Sequence, residues 1–198
     1  MAVLPRSRCS RLLPLACIAL LGACSSTPKP AKPPERVTGA GGSMLRYSSK
    51  QTTIELTPAE RAAVDQVRVR AYPASDTAQL RDACAAALQA AGYEQVAGDA
   101  ATDIVTGERH QKLVGRSREA LRGLLKSQGL AYGAKPDHQS TYAQLVIRRD
   151  GAQARVWIGL NSTIWDSNGD AKSRVVTDAA AYQDLFARLD QALKTPAR

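Results

Sequence analysis

Alternate residues between positions 154 and 164 are mostly apolar, and this pattern constrains the fold more than any other feature of the chain. Such alternation predicts a β-strand with one face in the hydrophobic core. The dipeptides Asp150-Gly151 and Asn168-Gly169 flank the strand and indicate tight turns on both sides. We therefore expect a three-stranded meander over residues 142–177. The apolar positions of its central strand are Ala154, Val156, Ile158, Leu160 and Ile164.

Three helices are predicted outside the meander. Thr57, Pro58 and Glu60 have the spacing of a capping box with proline at the first helical position, so a short helix should run to about residue 66. A second helix should span residues 77–91, because Ser75 or Asp76 can cap its start and Gly92 can end it. The third should follow Asp178. Its apolar stripe comprises Tyr182, Leu185, Phe186, Leu189 and Leu193.

Further strands are predicted at about residues 67–72, 93–97 and 103–108, where short apolar and β-branched stretches lie between the turn residues. Successive strands with helices that must cover one face indicate an α+β fold. We expect an antiparallel sheet with helices packed on one face, in a two-layer, helix-grip-like arrangement. A single domain should occupy residues 44–198, with an amphipathic helical insert at about 110–139.

The second face of the central meander strand is unusually aromatic for a solvent face, because it carries Arg155, Trp157 and Trp165. Aromatic side chains on an exposed face often mark an interface, and we interpret these three residues as a candidate interaction surface. The insert could extend that surface through its basic side chains, or pack its leucines on the domain instead. The basic side chains of the insert are Arg116, Arg122 and Lys126.

The N-terminus has the features of an export signal. Arg6, Arg8 and Arg11 precede a short apolar stretch over residues 12–21, which is too short to span a bilayer. Leu21-Gly22-Ala23-Cys24 follows and resembles the bacterial lipoprotein signal. The resemblance implies that residues 1–23 are a signal peptide removed by cleavage. It also implies that Cys24 carries diacylglycerol and palmitate, with Ser25 directing the protein to the outer membrane.

Residues 24–43 are rich in proline and then in glycine, which predicts a disordered tether between the lipid and the domain. The domain should then face the periplasm, held to the membrane by the anchor on Cys24. The net charge of +9 falls with the loss of the signal arginines but stays positive. An exported protein rarely meets nucleic acid, so we expect none as a partner and attribute the charge to the anionic envelope or to a solvated basic surface.

Two sequence patterns in the domain carry a family resemblance. The helix end Ala91-Gly92-Tyr93 precedes a turn and strand over residues 99–107, and the hairpin at 164–169 precedes Asp178, Tyr182 and Phe186 at helical spacing. This stretch resembles a family of uncharacterised proteobacterial outer-membrane lipoproteins, and more distantly is similar to BamC-like helix-grip domains. The resemblance covers about two thirds of the chain and implies a fold, but brings no catalytic residues.

A search for catalytic chemistry in the sequence predicts no enzyme, no cofactor and no metal site. His110, Asp137 and His138 could meet if the insert closed as a loop, but their spacing is irregular. Ser117 lacks the glycine pattern of a nucleophile elbow. Cleavage would leave only Cys24 and Cys84, and Cys84 lies on an apolar helix face, so we expect a buried, unpaired thiol.

Two functions remain open at this point. The first is a non-enzymatic accessory module that binds an envelope protein at the outer membrane through the aromatic face. The second is a carrier that holds a lipid or a cell-wall fragment in an apolar groove between the sheet and the helices.

Overall fold

The computed structural model describes residues 33–39, 49–73, 76–113, 123 and 136–194, and all of them belong to one compact unit. The described helices are α1 (Pro58–Val67), α2 (Thr77–Ala90) and α3 (Ala179–Lys194). The described strands are β1 (Glu35–Thr38), β2 (Gln51–Ile54), β3 (Val69–Pro73), β4 (Glu94–Asp99), β5 (Ile104–Lys112), β6 (Pro136–Asp150), β7 (Gln153–Asp166) and β8 (Ala171–Val175).

The strands form one mixed sheet in the order β1-β2-β8-β7-β6-β5-β4. The long strand β7 lies near the middle, as expected for the centre of the meander. Its partner along one edge changes: the half that includes Trp165 pairs with β8, and the half that includes Trp157 pairs with β3. The predicted α+β class is therefore confirmed for the described residues, with three helices packed against the sheet.

One strand pair differs from the expected antiparallel sheet. β2 runs parallel to β8, with Gln51 beside Ala171 and Ile54 beside Arg174. These two strands are far apart in the sequence, so no hairpin turn dictates their relative direction. Their packing on neighbouring elements sets it instead, and sequence periodicity carries no information about that.

The described residues form a hydrophobic core between the sheet and the helices. Ala154, Val156, Ile158 and Leu160 of β7 alternate into it as predicted, whereas Ile164 is buried outside this core. The stripe of α3 meets them from the other layer, where Tyr182 and Phe186 are among the largest fully buried side chains. Burial of such aromatic and aliphatic surface supplies most of the stability of a domain of this kind.

The predicted capping box at the start of α1 and the predicted glycine cap at the end of α2 both form. The Thr57 hydroxyl accepts a hydrogen bond from the Glu60 amide while the Glu60 carboxylate accepts one from the Thr57 amide, which completes the capping box. At the end of α2, Gly92 has a φ of +78°, in the left-handed region that favours glycine. The Gly92 and Tyr93 amides donate to the carbonyls of Gln89 and Leu88, the hydrogen bonds of a Schellman motif.

The strands reach further than the sequence predicted. β1 lies inside the predicted tether, where its four exposed residues give no hydrophobic pattern, and it is held by backbone pairing with β2. β5 and β6 likewise extend into the predicted insert, since Lys112 still pairs with His138. The predicted signal peptide lies outside the described residues, as does the middle of the insert apart from residue 123. Among the helices that are described, none is long and apolar enough to cross a membrane.

Candidate functional site

The sheet has one face packed on the helices and a second face, which we call the outer face. On β7 the even-numbered residues are all buried on the other side of the strand, so Arg155, Trp157 and Trp165 belong to the outer face, as the sequence predicted. Residues that pair directly across two antiparallel strands have their side chains on the same face. The strand register therefore shows which residues of the neighbouring strands belong to the outer face. The outer-face residues of β6 include Tyr142, which is 42% exposed.

An apolar row crosses four strands of the outer face. Ile104 on β5 pairs with Val146 on β6, Val146 pairs with Trp157 on β7, and Trp157 pairs with Val69 on β3. All four side chains are half-buried, and none belongs to the main core. Direct cross-strand partners on one face lie close enough for their side chains to interact. This row of Ile104, Val146, Trp157 and Val69, which we call the apolar row, is a continuous hydrophobic strip on the solvent side of the sheet.

Two arginines lie beside the apolar row on the same face. Arg148 on β6 and Arg155 on β7 are direct cross-strand partners, two residues beyond Val146 and Trp157. Like charges directly opposite each other destabilise a strand pair. The Arg155 guanidinium is 2.6 Å from the Asp150 carboxylate, which offsets part of that repulsion. The basic pair is therefore an exposed positive group at the end of a hydrophobic strip.

Trp165 is not part of the group formed by the apolar row and the two arginines. It lies eight residues from Trp157 on the same strand, which corresponds to about 26 Å at the usual rise of an extended chain. Its indole stacks on His138 of β6, with ring centroids 4.7 Å apart and planes 11° from parallel. The structure thus brings Arg155 and Trp157 together and places Trp165 at the opposite end of the face.

A cluster of polar side chains lies on the outer face between Trp157 and Trp165. Ser140 and His110 are direct cross-strand partners, and the Ser140 hydroxyl donates a hydrogen bond to the Glu108 carboxylate. His110 Nε2 lies 3.7 Å from the other oxygen of Glu108. A serine nucleophile needs a histidine that accepts its proton, with the carboxylate on the far side of the imidazole. Here the carboxylate lies between serine and histidine, so the order of the catalytic groups is wrong for that chemistry.

The histidines also have separate surroundings. His138 Nδ1 is 3.2 Å from the Asp137 carboxylate while its ring is engaged with Trp165, and His110 contacts Glu108. Within the described ranges, no cluster of three or more histidine, cysteine, aspartate or glutamate side chains could hold a metal ion.

Cys84 is the free cysteine of the described residues and is fully buried on α2. Burial raises the pKa of its thiol to about 12, because an apolar environment disfavours the thiolate. A thiol that stays protonated is a poor nucleophile and a poor metal ligand. The predicted role of Cys84 as a small buried hydrophobic residue is therefore confirmed.

Four of the predicted site residues lie outside the described residues. These are the lipidation site Cys24 and the basic insert residues Arg116, Arg122 and Lys126. Their assignments stay predictions. Conversely, sequence reasoning missed Ile104, Val146 and Val69, which join Trp157 only through the register of three strand pairs.

A cleft of about 220 Å³ opens beside the parallel β2–β8 pair, next to Asn161 of β7. The sequence offered no signal for it, because residues from β2, α1, β7 and β8 contribute to its walls. Its polar lining residues are Thr53, Glu55, Arg61, Asn161, Ser173 and Arg174, and its apolar lining residues are Ile54, Leu56 and Val175.

The fold and the outer face define an α+β protein with a mixed sheet, helices on one face and an apolar row with two arginines on the other. No known family model matches the chain, and a search of curated proteins found no match. Among solved structures, it is similar to a DUF4468 family protein from Bacteroides ovatus ATCC 8483. That likeness covers 65% of this chain and 85% of the other, at 10% identity and a TM-score of 0.37.

Proposed function

We propose that the protein is a non-enzymatic, lipid-anchored lipoprotein of the cell envelope that binds another protein through its outer face. The observation that carries this proposal is the apolar row of Ile104, Val146, Trp157 and Val69, which lies beside Arg148 and Arg155. An interface typically has an apolar centre with aromatic and arginine side chains and a polar rim. The partner should therefore present an apolar patch next to acidic side chains.

Electrostatic complementarity supports the choice of an acidic partner. Arg148 and Arg155 oppose each other on the outer face at a cost to the domain, and acidic groups on a partner would relieve it. Such rim charges chiefly raise the association rate and select the partner, while the apolar centre supplies most of the affinity. We expect binding to weaken as the salt concentration rises.

The alternative of a lipid or cell-wall carrier has less support. A ligand groove between the sheet and the helices would need space that side chains already fill. Tyr182, Phe186 and Leu189 of α3 pack there with Val156 and Ile158 of β7, and all five are nearly fully buried. The layer is packed as a core at these positions, which favours the interaction module.

The location follows from the N-terminal prediction. Acylation of Cys24 would hold the domain at the outer membrane, facing the periplasm, since several acyl chains together give stable anchoring. Labelling with a palmitate analogue tests this assignment in cells that carry the full chain. The unsubstituted chain should incorporate the label and sediment with membranes, and Cys24→Ser should do neither. A Cys24→Ser chain that still labels would contradict the lipid anchor.

Site-specific photo-crosslinking in living cells tests the binding face. A photoreactive residue in place of Tyr142 should trap a defined partner, because that side chain is the exposed aromatic of the outer face. The same residue in place of Gln183, on the exposed side of α3, is the matched control and should trap none. Equal yields at both positions would argue that the outer face has no special role.

Two substitutions make the crosslink diagnostic. Trp157→Ala should lower its yield by about tenfold or more, the loss typical of an aromatic at the centre of an interface. Arg148→Glu should lower the yield most at low salt, because the repulsion it introduces is screened by ions. The thermal unfolding midpoint of each variant should be measured alongside. If the crosslink survives both substitutions in folded protein, the partner does not use the apolar row.

A further inference from the structure

The cleft beside β7 is separate from the apolar row and has a different chemistry. It lies beside the parallel pair of β2 and β8. Its lining comes from these two strands, from the two residues after β2, from Asn161 of β7 and from the first turn of α1. There Arg61 lines the opening together with Arg174 of β8.

The donors that line the cleft outnumber the acceptors. The two guanidinium groups of Arg61 and Arg174 carry only N–H donors, and the Thr53 hydroxyl can donate as well. The Ser173 hydroxyl is hydrogen-bonded to the Thr163 hydroxyl at 2.8 Å. The Arg174 side chain is only 14% exposed and is held within the domain, where its Nη2 lies 3.4 Å from Glu60 and from Thr177. Arg61 is exposed and has no ion-pair partner among the described residues.

Two arginines and two glutamates lie in and around the cleft, so their charges cancel. Glu55 lines it alongside the two arginines, and the Glu60 carboxylate contacts Arg174. The other oxygen of Glu60 is occupied by the amide and hydroxyl of Thr57 in the capping box. Such a site disfavours a polyanion, because Glu55 and Glu60 would repel it, but it can accept a small group with a single negative charge.

We propose that this cleft binds a small, singly charged carboxylate ligand. A carboxylate matches the planar fork of an arginine side chain and forms charge-assisted hydrogen bonds with it. Ile54, Leu56 and Val175 form an apolar wall for a short aliphatic group attached to the carboxylate. The volume of about 220 Å³ suits a ligand of amino-acid size.

A titration followed by ¹H–¹⁵N NMR tests the proposal on the detergent-solubilised full chain. The probes are N-acetylalanine, which carries the carboxylate, and N-acetylalaninamide, which has the same shape but a neutral amide in its place. N-acetylalanine should shift the amide signals of Thr53, Ser173 and Val175 in a saturable manner, and N-acetylalaninamide should shift them much less. Equal shifts with both probes, or no saturable shift with N-acetylalanine, would overturn the proposal.

Two arginine variants assign the binding to the cleft. Arg61→Ala should weaken the affinity for N-acetylalanine by about tenfold, the loss expected for a charge-assisted hydrogen bond. Arg68→Ala is the matched control, since Arg68 belongs to the end of α1, pairs with Asp65 and does not line the cleft. Both arginines are exposed, so neither variant should unfold. Unchanged affinity in Arg61→Ala would refute the site, and it would leave the proposed protein interface of the apolar row unaffected.

Discussion

His138 and Trp165 stack across the β6–β7 pair, with their ring centroids 4.7 Å apart. The stack occupies one end of the outer face and the apolar row occupies the other. The two tryptophans of the chain therefore have different surroundings, although both follow the same alternation on β7. Trp165 is engaged within the domain, whereas Trp157 lies in the strip that we assign to a partner.

Removal of the imidazole should expose Trp165. In a Trp157→Phe background, His138→Ala should raise the acrylamide quenching of the remaining tryptophan fluorescence. It should also cost about 0.5–1.5 kcal/mol in the free energy of unfolding, the range for a stacked aromatic pair. His110→Ala is the matched control, because His110 has no aromatic stack among the described residues. Identical quenching in the two histidine variants would contradict a role for the stack in solution.

Neighbouring residues of β6 should respond differently to truncation, because they point to opposite faces. Ile147 is 3% exposed and faces the core, so Ile147→Ala should cost about 2–5 kcal/mol. Val146 is half-buried in the apolar row, and Val146→Ala should cost only about 1 kcal/mol or less. Urea unfolding measures both values. Equal losses would mean that the register of β6 differs from the one described.

Cys84 should make the domain less stable in alkali. Burial raises the pKa of its thiol from 9.0 to about 12, so the folded state keeps the proton after the unfolded state has lost it. The free energy of unfolding then falls as the pH rises from about 9 to about 12. Burial also raises the pKa of Tyr182 to about 12, which adds to the fall in the same direction.

A comparison with Cys84→Ala isolates the contribution of the thiol. Between about pH 8 and pH 10.5, the unsubstituted chain should lose about 2 kcal/mol more stability than the variant, by the linkage of proton binding to folding. Urea unfolding at the two pH values gives the difference. Parallel losses in both proteins would show that the thiol titrates normally, which would contradict its burial on α2.

Asp190 joins α3 to β3 through two hydrogen bonds. Its carboxylate accepts from the Arg70 guanidinium at 2.7 Å and from the Tyr72 hydroxyl at 3.0 Å. Burial raises the pKa of the Tyr72 hydroxyl above its usual range, and the neighbouring Asp190 raises it further. The hydroxyl therefore stays a hydrogen-bond donor. Arg70 also lies over the Phe186 ring, 4.5 Å from its centroid.

The losses in the free energy of unfolding caused by substitutions around Asp190 should not be additive. Tyr72→Phe and Arg70→Met should each cost about 1 kcal/mol, the net value of one hydrogen bond. Asp190→Ala should cost more than either, since it leaves both donors without their acceptor. In the Asp190→Ala background, Tyr72→Phe should cost much less than it does in the unsubstituted chain. Additive losses in urea unfolding would show that the two residues act independently.

The sequence alone determined which residues share a face and where the helices begin and end. Alternation along residues 154–164 assigned the core side of β7, and Thr57, Glu60 and Gly92 marked helix ends that formed as expected. These signals are local, because they depend on the geometry of a few successive residues. Cys84 belongs with them, since its burial followed from its position on the apolar side of α2.

Only the tertiary structure decided which faces and strands meet. The parallel β2–β8 pair, the strand β1 and the change of partner along β7 all depend on contacts between distant parts of the chain. Trp157 was visible in the sequence, but its apolar neighbours on β3, β5 and β6 required the register of three strand pairs. The cleft likewise required several elements to converge. Periodicity records the direction of a side chain relative to its own strand, whereas the identity of its neighbours is a property of the packed sheet.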